Sequence, residues 1–215
     1  MDIAAIRSGQ LKQLSGANLE DEDLSQADLS QAQLAGANLC GANLEAAKLA
    51  GANLDGANLM GCQLARADMR ANLLGANLMQ ANLTEADLRG ANLRGANLMQ
   101  ARLVQTTLAG AFLSGANLTG VNLQGVDLRG IDLRGANLSH ANLSGTNLTQ
   151  AELQGAILTG ANLEEADIKA ANLAGADLSN ANLLCADLEG TQLEGCVTTG
   201  ACFVGTQRED LNATT

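Results

Sequence analysis

The stretch from Asp87 to Leu103, DLRGANLRGANLMQARL, repeats one pattern every five residues: small, polar, large, variable, often Gly. Neither a helix, with 3.6 residues per turn, nor a strand, with a period of two, has that beat. Call the large residue i. Leu19, Leu24, Leu29, Leu34, Leu39 and Leu44 hold it, and the series runs on through Leu64 and Met69. A small residue stands at i−2 (Ala17, Ala27, Ala32, Ala37, Ala42) and Asn or Asp at i−1 (Asn18, Asp28, Asn38, Asn43). In an extended segment i−2 and i face the same way. Three residues then form a short edge with two side chains inward, while i+1 and i+2 turn the corner. Gly at i+2 suits a turn that needs a positive φ. An outward Asn or Asp at i−1 can hydrogen-bond nearby backbone. Such edges are too short to stand alone, but stacked coils would satisfy one another's backbone groups.

Composition agrees. Of the 215 residues 47% are hydrophobic, mostly Ala and Leu, yet only 1% are aromatic, and Pro, Trp and Tyr are absent. That is too apolar for a disordered chain and too uniform for a core of varied shapes. No apolar run is long enough for a membrane span, and the start, MDIAAIRSGQ, reads as no signal peptide. Cys40, Cys62, Cys185, Cys196 and Cys202 are odd in number and scattered, which favours a reducing cytoplasm over a disulfide framework. A net charge of −11 disfavours direct binding to nucleic acid.

Tandem A-[ND]-L-x-x over nearly the whole chain resembles the pentapeptide repeat proteins, a family abundant in bacteria and especially in cyanobacteria. The resemblance implies an all-β fold, a right-handed quadrilateral β-helix with four repeats per coil. Roughly 38 repeats would then stack into nine to ten coils, a rod of about 45 Å at the β-ladder spacing. The expected organisation is an N-terminal cap over 1–16, a single β-helix over 17–205, and a C-terminal tail over 206–215. Asp2 to Ser8 suits a short capping helix with Asp2 as N-cap. Phe203, a larger residue in the last i slot, would close the other end.

Three irregularities stand out. The series slips by one between Met69 and Leu73, in ADMRANLLGANL (67–78). Val121, Val126 and Ile131 replace Ala at i−2 and read as core variation. Phe112 stands at i−1, where Asn or Asp is the rule.

The repeat leaves i+1 free, so specificity can be written there. With four repeats per coil, Glu20, Cys40, Met60, Met79, Met99 and Thr119 share one column, and Met is common on permissive binding surfaces. Arg70, Arg89 and Arg129 fall in a second column, Arg94 and Arg134 in a third. Seven Arg and five acids between residues 66 and 134 predict a mildly positive waist. The candidate partner-binding surface is therefore Arg70, Arg89, Arg94, Arg129, Arg134, Met60, Met79, Met99 and Phe112.

No enzyme site is expected, and no cofactor or metal site. His140 is the sole His and lacks a ligand partner, and the glycines form no phosphate-binding motif. The leading functional expectation is a non-enzymatic scaffold for protein–protein interaction. The alternative implied by the resemblance is a DNA-mimicking modulator of DNA gyrase, of the quinolone-resistance or toxin-immunity type, for which dimerisation would be in character. Charge argues against close mimicry, because 45 Å of B-DNA carries roughly 26 charges. Regularity approaches that of a consensus scaffold, but the slip and the irregular stretch 101–113 favour a natural sequence.

Overall fold

The computed structural model describes residues 1–208. The chain forms two compact units, Met1–Phe112 and Leu113–Thr215. The expected tail, 206–215, lies outside the described residues from 209 onward.

The first unit opens with helix α1, Ile3–Arg7, in whose first turn the Ala5 N–H donates to Asp2 Oδ1 at 3.1 Å. Its Ile6 is fully buried. Arg7 and Lys12 offer their carbonyls to the N–H groups of Asp28 and Gln33, so the first ladder bonds already involve this segment.

From there each repeat contributes one parallel bridge, centred on i−1. Asn18 pairs with Asn38, Asn38 with Asn58, Asn58 with Asn77 and Asn77 with Asn97. The 20-residue interval from Asn18 to Asn38 is four repeats of five, which gives a four-sided coil. One repeat accounts for all of its N–H groups. Ala37 donates across its corner to Leu34 O at 3.0 Å, Asn38 down to Ala17 O at 2.9 Å and Leu39 up to Asn58 O at 2.7 Å. Gly41 donates up to Met60 O at 2.9 Å. The Cys40 N–H, turned outward at i+1, goes to Asn38 Oδ1 at 3.3 Å. This is why Asn or Asp recurs at i−1: its oxygen takes the one donor that the ladder leaves over.

The second unit repeats the scheme. Asn137 donates to Ala116 O and Leu138 to Ile157 O, at 2.9 and 2.7 Å, while Ser139 N donates to Asn137 Oδ1 at 3.0 Å.

The corner residue i+2 is left-handed. Gly41 has φ 68°, and His140 and Cys185 reach 57° and 56° in the same slot. Among the described residues fifteen non-glycine residues sit at such angles and none of them is β-branched, as sterics require of a residue held at positive φ.

Leu at i and Ala at i−2 fill the interior, with Leu39, Leu59, Ala37 and Ala57 wholly shielded. Each such Leu contributes about 1.5–3 kcal/mol before chain entropy is subtracted. Polar residues that replace Ala find acceptors: Thr106 Oγ1 donates to Leu83 O at 2.8 Å, and Cys62 Sγ to Leu39 O at 2.8 Å. Burial pushes the Cys62 thiol up to about 12. Among the larger i−2 residues, Val121 and Ile131 are buried, whereas Val126 is only half-buried. Phe203 is fully buried in its i slot.

The slip has a local solution. Elsewhere a corner closes with a bond from i−2 N–H to the carbonyl three residues back, as from Ala76 to Leu73. At the slip Ala71 N–H reaches Met69 O, two residues back, at 2.7 Å. A three-residue turn replaces a four-residue one. Bridges that cross the slip span 19 residues, Asp68 to Asp87 among them, and the ladder then returns to 20 with Asn72 to Asn92. Side order is retained.

Candidate functional site

The ladder sorts outward side chains into columns. In the first unit the bridges Asn58–Asn77–Asn97 carry Met60, Met79 and Met99, each two residues further along, into one column. All three thioethers are half-buried. Beside them runs an amide ladder, in which Asn58 Nδ2 donates to Asn38 Oδ1 at 3.0 Å and Asn77 Nδ2 to Asn58 Oδ1 at 3.1 Å. The Asn58 oxygen that accepts from Asn77 also accepts the Met60 N–H, and Asn77 Oδ1 accepts the Met79 N–H, both at 3.3 Å. The Met column thus lies over a backbone whose polar groups are already satisfied.

The Arg residues separate into two kinds. Arg89 meets Asp87, the i−1 residue of its own repeat, through Nε at 2.8 Å and Nη2 at 2.6 Å. Arg70 meets Asp68 in the same way at 2.8 and 2.6 Å, and lies 3.6 Å from Asp87 as well. In the second unit Arg129 is paired with Asp127, and Arg134 with Asp132. The Arg89 side-chain hydrogen bond is the largest influence holding the Asp87 carboxyl down at about 2. Asp68 and Asp127 are lowered for the same reason, by Arg70 and Arg129. The charge count over residues 66–134 predicts a mild positive excess and says nothing of pairing. The D-x-R spacing instead makes each of these four Arg one half of a bidentate pair.

Arg94 is different. Its i−1 residue is Asn92, which accepts one bond from Nη1 at 3.1 Å. Its guanidinium lies over the Phe112 ring, with Cζ 4.3 Å from the centroid. Phe112 keeps the ladder through its backbone, donating to Ala91 O and accepting from Leu93 N at 2.9 and 2.8 Å, so only its ring departs from the repeat. Phe112 is 41% exposed, and Leu74, one coil below Arg94 in the same column, is 40% exposed.

His140 is exposed at its corner. Among the described residues no group of His, Cys, Asp and Glu is placed to hold a metal ion. An open groove in the second unit is lined by Gln124, Ser144, Glu164 and Glu165, all of them repeat positions. No helix among the described residues is long and apolar enough to cross a membrane.

Coils of four pentapeptides, with Leu and Ala inside and Asn outside, match what a family model for pentapeptide repeats finds. It matches eight copies, over residues 13–45, 41–70, 70–100, 96–135, 131–169 and 161–200. The chain belongs to the pentapeptide repeat family. Among solved structures, this pentapeptide repeat protein is similar to HetL, a pentapeptide repeat protein involved in heterocyst differentiation regulation from the cyanobacterium Nostoc sp. strain PCC 7120. The identity is 34%, with 90% of this chain and 91% of that chain covered and a TM-score of 0.57. It also matches QnrB1, a plasmid-mediated fluoroquinolone resistance protein, at 20% identity, 91% and 92% coverage and a TM-score of 0.52. At that identity the likeness concerns the fold, the right-handed quadrilateral β-helix of the family. Comparison with curated protein sequences finds no match.

Proposed function

We propose that this pentapeptide repeat protein is a non-enzymatic interaction scaffold of the cytoplasm, whose outward columns bind another protein. The observation that carries this reading is the Met60–Met79–Met99 column. Three adaptable thioethers are aligned one coil apart on a backbone whose own polar groups are paired. Such a surface offers dispersion contacts to a partner without stranding polar groups. HetL, a relative over nine-tenths of the chain, has a regulatory role, which suits a protein that works by contact. A photo-crosslinking residue in place of Met79, introduced in the native host, tests it. A discrete adduct with one protein is expected; crosslinks to bulk protein only, or none, would contradict the reading.

The second reading is modulation of DNA gyrase. It draws on the net charge of −11 and on the fold shared with QnrB1. The Asp–Arg pairs weigh against it, since they interleave cations with the carboxylates that would have to imitate phosphates. A supercoiling assay with purified gyrase, with and without a quinolone, decides: inhibition or drug protection at micromolar protein would favour this reading over the scaffold.

A further inference from the structure

Within the scaffold reading, on which this inference rests, the columns are not equivalent. Arg70, Arg89, Arg129 and Arg134 each spend their Nε and Nη2 on an Asp of their own repeat. A partner's carboxylate would have to displace that Asp. Arg94 has no acidic partner among the described residues. A guanidinium carries five N–H donors, and the one hydrogen bond of Arg94 goes to the neutral Asn92. The contact with the Phe112 ring restrains the group, so part of the entropy of ordering it on binding is already lost. Leu74, in the same column, and the Phe112 ring supply exposed apolar surface beside it. An uncompensated Arg beside an exposed aromatic is the composition typical of binding hot spots.

We propose that Leu74, Arg94 and Phe112 form the docking point for a protein segment that places an Asp or Glu carboxylate on Arg94 and an apolar side chain against Leu74 and Phe112. Charge complementarity selects this occupant. The patch offers one unpaired cation flanked by carbon, which fits a single carboxylate beside an apolar residue. A run of phosphates would meet the Asp-paired columns and the overall negative charge instead.

The test is selection of a phage-displayed random dodecapeptide library against the full-length chain. Enriched peptides are then synthesised and titrated by fluorescence anisotropy. Peptides with Asp or Glu next to Leu, Ile or Phe are expected. Arg94→Gln and Phe112→Asn should each weaken them by about tenfold or more, as hot-spot substitutions do. Arg129→Gln should leave affinity within about twofold, since an exposed pair contributes little. Replacing the peptide's acid by its amide should cost the wild type the same factor and cost Arg94→Gln nothing further. Enriched peptides that lack an acid, or that bind all variants alike, would overturn this assignment and leave the scaffold reading standing. A library that yields no binder would count against both. The substituted side chains point outward, so circular dichroism of each variant should match the wild type.

Discussion

Arg89 holds Asp87, two residues before it, through its backbone N–H, Nε and Nη2 at 3.1, 2.8 and 2.6 Å. The bond to the carboxylate favours its charged form, so Asp87 titrates lower in the folded chain than in the unfolded one, at about 2. Asp68, Asp127 and Asp187 shift the same way, the first two through Arg and the last through Lys169.

The sign of the pH dependence follows. A carboxyl whose folded value is depressed stabilises the fold fully above its unfolded value, about 3.9 for Asp, and loses that contribution as pH falls further. Melting temperature should therefore be level between about pH 7 and 5, then fall from about pH 4 toward 2, with a shallower fall in Arg89→Gln. A melting temperature that held or rose through the acid window would contradict the pairing.

Asn58 makes three side-chain bonds, donating to Asn38 and accepting from Met60 N–H and Asn77. Asn58→Ala should cost about 1–2 kcal/mol, because it strands a partly buried N–H and interrupts the amide ladder. Asn58→Asp retains the acceptor and should cost less. Urea midpoints of the two variants give the order, and the reverse order would refute the role assigned to the side-chain oxygen.

Leu93 and Arg94 are adjacent, yet one is fully buried and the other exposed. Leu93→Asp should unfold the adjoining coils, since a buried unpaired carboxylate is too costly to retain. The truncation Leu93→Ala should cost about 2–5 kcal/mol. Hydrogen exchange should show protection lost around residues 73–112 in Leu93→Asp and kept in Arg94→Asp. Equal protection in both would sink the inward assignment.

Gly9 and Gly36 both have positive φ, 75° and 65°. A Cβ at Gly9 would lie 2.9 Å from the Asp28 carbonyl oxygen, whereas one at Gly36 would meet nothing within 4 Å. Gly36→Ala should cost only the left-handed strain, about 1 kcal/mol. Gly9→Ala should cost more, because backbone must move. Thermal melts of the pair compare them directly.

The slip offers its own test. One Gly inserted between Arg70 and Ala71 would lengthen the three-residue turn to the ordinary corner without moving any bridge partner. Stability should change by no more than about 1 kcal/mol, the scale of a turn substitution at a compatible site. Loss of the fold would mean that the shortened corner sets the register.

Much of this was legible in the five-residue beat. It places Leu39 and Ala37 inside and Asn38 outside, because alternation along an extended edge does not depend on tertiary context. The number of sides comes from the family resemblance, and the 20-residue bridges agree with it. What charge counting misses is pairing. Asp87-Leu88-Arg89 already puts both charges on one face two residues apart, so the D-x-R spacing was the available signal. The stacking of Arg94 on Phe112 was harder to see, since it joins residues 18 apart. An i+1 side chain meets the i−1 residue of the next coil, one coil less two residues, and Thr159 reaches Asp177 by the same relation. The half-burial of Val126 had no signal, because Val121 and Ile131 occupy the same slot and are buried.

The central claim is that this chain acts through its outward columns while the ladder beneath stays inert. It is tested by affinity capture from the native host with two baits: the wild type, and a variant with Met60, Met79 and Met99 changed to Ser, Arg94 to Gln and Phe112 to Asn. Both baits should melt alike, since every change is outward. The account predicts one protein retained by the wild type in near-stoichiometric amount and lost from the variant. The same protein on both baits, or none on either, would contradict it.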